Sequence, residues 1–246
     1  MEAYTWLTVL VLISMIPLSL SMASDDQVQK TEGFHNESEA GIVITGGNSD
    51  AQSYNLKQEN TLGWDINLVK FYSKFLETTS KGQETAQRWT LGLRYERKLN
   101  NRFSIFLGQN IESDPFAGYF QRYNTDIGGK YFLITGLHFF WDVELGYRYA
   151  IENRRSGQVN QNYIRLYTEA DRNWTKTISS KVWFEYLPNL TVTTDYQFNS
   201  EISVSAAFND IFSLKTAYLI NYRHILISPA TANMDTQFST ALISKF

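Results

Sequence analysis

Residues 137–152 read LHFFWDVELGYRYAIE, and their alternation decides the fold. Leu137, Phe139, Trp141, Val143, Leu145, Tyr147, Tyr149 and Ile151 fall on one parity. His138, Phe140, Asp142, Glu144, Gly146, Arg148, Ala150 and Glu152 fall on the other. In a strand, residues i, i+2 and i+4 share a face, so this stretch is a strand with one apolar, aromatic face and one mostly polar face. It is too long for the usual strand of about five or six residues in a soluble domain. A strand that crosses a bilayer at a tilt, needing about ten residues plus margins, accounts for it.

The same pattern recurs on both sides. Trp89, Leu91, Leu93 and Tyr95 oppose Arg88, Thr90, Gly92, Arg94, Glu96 and Lys98, and Leu214, Thr216, Tyr218, Ile220 and Tyr222 oppose Ser213, Lys215, Ala217, Leu219, Asn221 and Arg223. Turn residues divide the remainder into about 12 strands, at 39–46, 52–60, 64–77, 84–98, 102–113, 119–133, 137–152, 159–173, 177–188, 196–207, 211–226 and 236–246. The connections between them are expected to alternate between longer loops and tight turns. That asymmetry belongs to an up-and-down barrel with loops at one rim and turns at the other. The expected fold is therefore all-β: a closed, antiparallel, up-and-down transmembrane β-barrel. Closure is required because lipid offers no partner to a backbone N–H or C=O group, and each orphan costs several kcal/mol.

Composition agrees. Charged residues make up 19% and aromatics 15% of the 246 residues, against roughly 25% charged in an ordinary soluble domain. A mean hydropathy of -0.30 excludes a bundle of membrane helices, each of which needs about 20 apolar residues. A formal charge of -3 gives no basic surface for nucleic acid. The absence of cysteine removes disulfides, thiolate metal sites and thiol nucleophiles.

The apolar run Trp6–Leu20, followed by Ser21-Met22-Ala23, reads as an export signal peptide cleaved after residue 23, although Glu2 stands where positive charge is usual. Residues 24–38 read as a polar periplasmic lead-in, and 39–246 as the barrel. Export of this kind places the chain in the outer membrane of a Gram-negative-type envelope, with outer-membrane lipid as its surroundings. The alternating C-terminal segment ends in Phe246, which reads as the signal taken up by the barrel-assembly machinery. Trp64, Trp89, Trp141, Trp174 and Trp183 are expected to form the interfacial girdles.

The search for chemistry finds little. His35, His138 and His224 lie on the lead-in and on strand ends at opposite rims, and no ligand spacing suggests a metal or other cofactor. Gly46-Gly47-Asn48-Ser49-Asp50 reads as a tight turn. The inward parity carries a strip of mixed sign: Arg94, Glu96, Arg122, Asp126, Lys130, Asp142, Glu144, Arg148, Arg165 and Glu169. A carboxylate pair such as Asp142 and Glu144 has the groups for acid–base work, but such rows are the ordinary lining of a charge-compensated lumen.

Several spaced segments also resemble a family. They are Thr45-Gly46-Gly47-Asn48-Ser49-Asp50; Glu112-Ser113-Asp114-Pro115-Phe116-Ala117-Gly118 with Arg122, Gly128, Gly129, Tyr131 and Leu133; Glu144-Leu145-Gly146-Tyr147-Arg148; Ser213-Leu214-Lys215; and Asp235-Thr236 with Phe246. Together they resemble the salt-induced outer membrane proteins, a family of unknown function. Family members usually read Thr-Ser-Gly-Asn or Thr-Thr-Gly-Asn where this chain has Thr45-Gly46-Gly47-Asn48. The resemblance implies a bacterial outer-membrane barrel and supplies no substrate, cofactor or catalytic residue. The expected role is a narrow passive channel for small solutes or ions. A structural barrel with a plugged lumen is the alternative, and an outer-membrane enzyme of lipase or protease type is the remote one, since the phospholipase's run of His, Ser, Asn and Gly is absent.

Overall fold

The structure, a computed structural model, describes residues 32–45 and 51–245. The export segment, the turn at Gly46–Asp50 and Phe246 lie outside the described residues. Twelve strands follow one another in chain order: β1 Gly33–Thr45, β2 Ala51–Trp64, β3 Asn67–Ser80, β4 Gln83–Asn100, β5 Phe103–Asp114, β6 Tyr119–Thr135, β7 Phe139–Arg154, β8 Gly157–Asn173, β9 Ile178–Pro188, β10 Tyr196–Ala207, β11 Phe212–Arg223 and β12 Met234–Lys245. Each pairs antiparallel with its sequence neighbours, and β1 pairs with β12 to close the barrel. The closing register sets Glu37 against Lys245 and Glu39 against Ile243.

An even strand count puts the start of β1 and the end of β12 at one rim, together with the connections 65–66, 101–102, 136–138, 174–177 and 208–211. This is called the turn end below. The other rim, the loop end, carries 81–82, 115–118, 155–156, 189–195 and 224–233. Two connections expected to be longer loops, at 78–83 and 153–158, are two-residue hairpins. At the first, Lys81 and Gly82 both take positive φ (51° and 74°), the combination that matches a two-residue turn to the twist of its strands. The ladder therefore runs further than the turn-forming residues suggest.

β1 also begins earlier than expected. Gly33 pairs with Gly63 and Ser38 with Gln58, so residues 33–38, assigned by composition to the lead-in, are part of the wall. They were hidden because two of their three outward rungs, Asn36 and Ser38, are polar. Asn36 donates to Asn60 at 2.6 Å, and Ser38 donates to Gln58, so amides and hydroxyls replace the usual aliphatic pairs.

On most strands the outward face is a belt of exposed apolar side chains. Leu91, Leu93, Ile105, Leu107, Ile127, Leu145, Val182, Ile202, Val204 and Leu242 all belong to it. Trp64, Trp141 and Trp174 are exposed near strand ends, as expected of girdles. Trp183 is not among them. It lies on the parity of Lys181 and Glu185, lines the lumen, and stacks on Tyr167 with ring centroids 6.1 Å apart. Its indole follows the β9 alternation rather than its interfacial preference.

Candidate functional site, the barrel lumen

The inward faces build two unlike halves. The half formed by β4 to β9 carries most of the inward rings and charges. Its floor is glycine: a Cβ on Gly92 would stand 2.1 Å from the Tyr72 ring, and one on Gly128 would meet the Leu145 carbonyl at 2.5 Å and the Phe106 ring at 2.7 Å. Gly146 lies beside Gly128 in the ladder. Bare backbone here lets the Tyr72 and Phe106 rings lie flat against the wall. On top of Phe106 sits the Arg94 guanidinium, 3.9 Å from the ring centroid, with Arg165 further off at 5.8 Å; both are cation–π contacts. Gly128→Ala would press on backbone as well as on the ring. It is expected to lower the unfolding midpoint of the barrel by an overpacking penalty of about 1–3 kcal/mol, measured by loss of the heat-modifiable form in detergent.

The charges above this floor form a continuous network. Arg94 donates two hydrogen bonds to Glu144, at 2.6 and 3.1 Å, and reaches Glu96 at 3.3 Å. Arg165 bridges Glu144 and Glu185, the latter at 2.6 Å. Arg148 joins Glu185 at 3.2 Å and grips Asp126 with two bonds of 2.7 and 2.9 Å. Lys130 stands within 3.3 Å of Glu144 and 3.6 Å of both Glu96 and Asp142. Bidentate arginine–carboxylate pairs of this kind are among the stronger and more directional hydrogen bonds available to side chains.

Eight of the ten residues singled out in the sequence meet in this network. Two do not. Arg122 belongs to a second cluster nearer the loop end, donating to Glu112 at 2.6 Å and to Glu152 at 3.3 Å; Arg154 and Arg223 also pair with Glu152. Glu169 pairs with Lys181 at 3.0 Å and accepts a bond from Tyr167 at 2.6 Å. Asp142 and Glu169 are direct cross-strand neighbours. Their repulsion is offset by Lys130 on one side and Lys181 on the other.

Several lumen groups escaped the sequence reading. Glu185 is the hub joining Arg148 to Arg165, and parity with Lys181 on β9 would have found it. A third cluster lies across the closing seam: Lys57 on β2 and Lys215 on β11 each pair with both Glu39 on β1 and Glu201 on β10, at 2.9–3.5 Å. No sequence spacing relates these four, because closure alone brings β1 and β2 opposite β10 and β11.

Beside this network the lumen holds open space, lined by residues of all twelve strands. An internal cavity of about 810 Å³ has lining residues at both rims, from Glu37, Lys98 and Asn101 at the turn end to Asp114, Asn233 and Asp235 at the loop end. Its wall on β10 to β12 carries small neutral polar groups, including Asn199, Ser203, Ser205 and Ser239. Toward the loop end the 224–233 connection leans inward. Ile227 is buried, and it packs where a Cβ on Gly118 would stand. Asp195 anchors this connection by accepting the Ile225 N–H at 3.0 Å. This connection contributes Leu226, Ile227 and Ala230 to the lining.

Among the described residues no three His, Asp or Glu side chains converge as metal ligands would. His224 stacks on Tyr196 with centroids 4.8 Å apart.

A closed 12-stranded barrel with an apolar belt outside and a charged lumen inside is a porin-like outer-membrane β-barrel. A solved structure shares this fold. The NanC porin superposes with a TM-score of 0.50 at 9% identity, covering 86% of this chain and 97% of that one. The KdgM porin gives 0.49 at 13% identity, over 86% and 99%. The chain belongs to the family described as "Protein of unknown function, DUF481", whose model matches residues 38–246. Its relative in Escherichia coli strain K12, the uncharacterized protein YdiY, is 23% identical over 208 residues, spanning 83% of this chain and 80% of the relative.

Proposed function

We propose that the protein is a narrow passive channel of the outer membrane, passing small solutes or ions through the cavity in its lumen. The observation that carries this reading is the cavity lined from rim to rim. The packed half supports it as well. An ion-paired, glycine-floored slab holds the barrel's cross-section in shape and leaves a passage beside it. A 12-stranded barrel is wider than the eight-stranded type that side chains fill, and narrower than the 16-stranded porins. On this reading residues 1–23 are the export signal, the turn end faces the periplasm, and the barrel-assembly machinery inserts the chain.

Swelling of proteoliposomes tests the function. Vesicles holding the folded protein are expected to swell in small neutral solutes such as glycerol and pentoses, and not in disaccharides. Swelling no faster than that of protein-free vesicles would reject the channel and favour a structural barrel. The inward connection sets the width at the loop end. Replacing residues 226–232 by a short Gly-Ser link is therefore expected to raise the swelling rate and admit larger sugars, while the fold is retained. An unchanged size cut-off would place the constriction elsewhere.

A further inference from the structure

The inward faces of β1 to β3 and β10 to β12 are short of one negative charge. The seam cluster contains Lys57, Lys215, Glu39 and Glu201, fully cross-paired. Directly across the ladder from Lys57 stands a third lysine, Lys74, in the middle of β3. Its side chain lines the cavity and is exposed, and among the described residues it makes no ion pair. Its ammonium lies 6.0 Å from the centroid of the Tyr72 ring. The charges that act on it are Lys57, Glu201, Glu59 and Lys215. Glu201 already serves Lys57 and Lys215, and Glu59 holds Lys70 at 2.7 Å.

A second, independent orphan stands beside it. Asn55 lies two residues from Lys57 on the inward parity of β2, diagonal to Lys74, and is 7% exposed. Its side-chain amide nitrogen has no acceptor, and a buried donor left unmade is costly. A free ammonium and an unpaired amide N–H, on diagonal neighbours that line the same cavity, are two donors in want of one acceptor with two oxygens. Among the described residues the lumen carboxylate without an ion pair, Asp235, is far away at the loop end of β12, with Arg88 and Asp114 as its charged neighbours. The middle of the passage therefore has a surplus cation and no surplus anion.

From this we infer that Lys74 and Asn55 form a binding site for a small oxyanion, a carboxylate or a phosphate, and that the channel passes anions in preference to cations. The inference deepens the channel reading and rests on it for the preference, while the site itself stands on geometry. One oxygen of the anion takes the Lys74 ammonium and another takes the Asn55 amide, completing a cluster of three lysines and three carboxylate-like charges. Because a low-dielectric wall focuses the field of a single charge, one lysine is enough to bias a narrow passage.

Two measurements test it. In a planar bilayer under a KCl gradient, the wild type is expected to reverse on the chloride side of zero. Lys74→Met, which removes no ion pair, is expected to cut the anion-to-cation permeability ratio by roughly threefold to tenfold, and Lys74→Arg to retain it. In detergent, acetate and inorganic phosphate, each matched against chloride at equal ionic strength, are expected to raise the unfolding midpoint of the wild type. Lys74→Met and Asn55→Ala should lose that rise, and the larger response identifies which oxyanion the site takes. A conducting wild type with no anion preference, or a preference that survives Lys74→Met, overturns the inferred selectivity and leaves the channel standing. A wild type that does not conduct but is stabilised by either oxyanion through Lys74 keeps the site and rejects the channel. No stabilisation by either anion overturns the site.

Discussion

Leu145→Arg is expected to abolish insertion of the barrel. Leu145 lies on the outward face of β7, is 62% exposed, and is flanked on its strand by Val143 and Tyr147, midway between Trp141 and Tyr149. Its cross-strand neighbours are Gly129 and Leu166, so no acid is at hand to receive a guanidinium. An arginine at the bilayer midplane of a barrel costs about 2–4 kcal/mol. For a slowly inserting chain that is expected to leave most of the protein in the periplasm, where it would be degraded. Membrane fractionation with heat-modifiable migration in gels reads the result. A soluble lipid-binding barrel, with its apolar face turned inward, would tolerate Arg at an outward position, so normal yield of folded Leu145→Arg in the outer membrane would contradict the assignment of faces.

Removal of the Glu144 carboxylate is expected to have the largest effect on stability of any lumen substitution. Glu144 is 4% exposed and is shared by Arg94, Arg165 and Lys130. Glu144→Ala leaves three cations facing one another, with only Glu96, Asp142 and Glu185 left to share among them. Breaking a buried ion pair by deleting one member typically costs about 3–5 kcal/mol, most of it the penalty of the charge left behind. The variant is therefore expected to unfold at markedly lower denaturant while still reaching the membrane, because its outward face is unchanged. Glu59→Ala is the comparison. Its pair with Lys70 is largely exposed, and such pairs contribute about 0–1 kcal/mol. Equal losses in the two variants would mean that the lumen behaves as open water.

How much of this was legible depends on whether the two faces of a strand differ in kind. On β4 and β7 they do, and alternation alone gave the strand, its outward aromatics and its inward charges. On β1 they do not: Asn36 and Ser38 face outward, and a polar rung looks like a leader. Aromatic rings carry no parity label of their own. Phe106 and Trp183 face inward, the first because Gly128 and Gly146 leave room against the wall. The central network on β6 to β8 was readable because hydrogen-bonded neighbours in the ladder are also neighbours in sequence order. The seam cluster was not. Glu39 and Lys215 are separated by nearly the whole chain, and only the register of closure brings them within 3.1 Å. The inward lean of 224–233 was no more legible, since it depends on Gly118 and Asp195 in other connections.

The most direct test of the central claim is single-channel recording from the folded, heat-modifiable wild type in a planar lipid bilayer. Small, discrete and well-defined conductance steps are the result this account requires, well below those of the wide 16-stranded porins. A membrane that stays silent with verified folded protein inserted would contradict it.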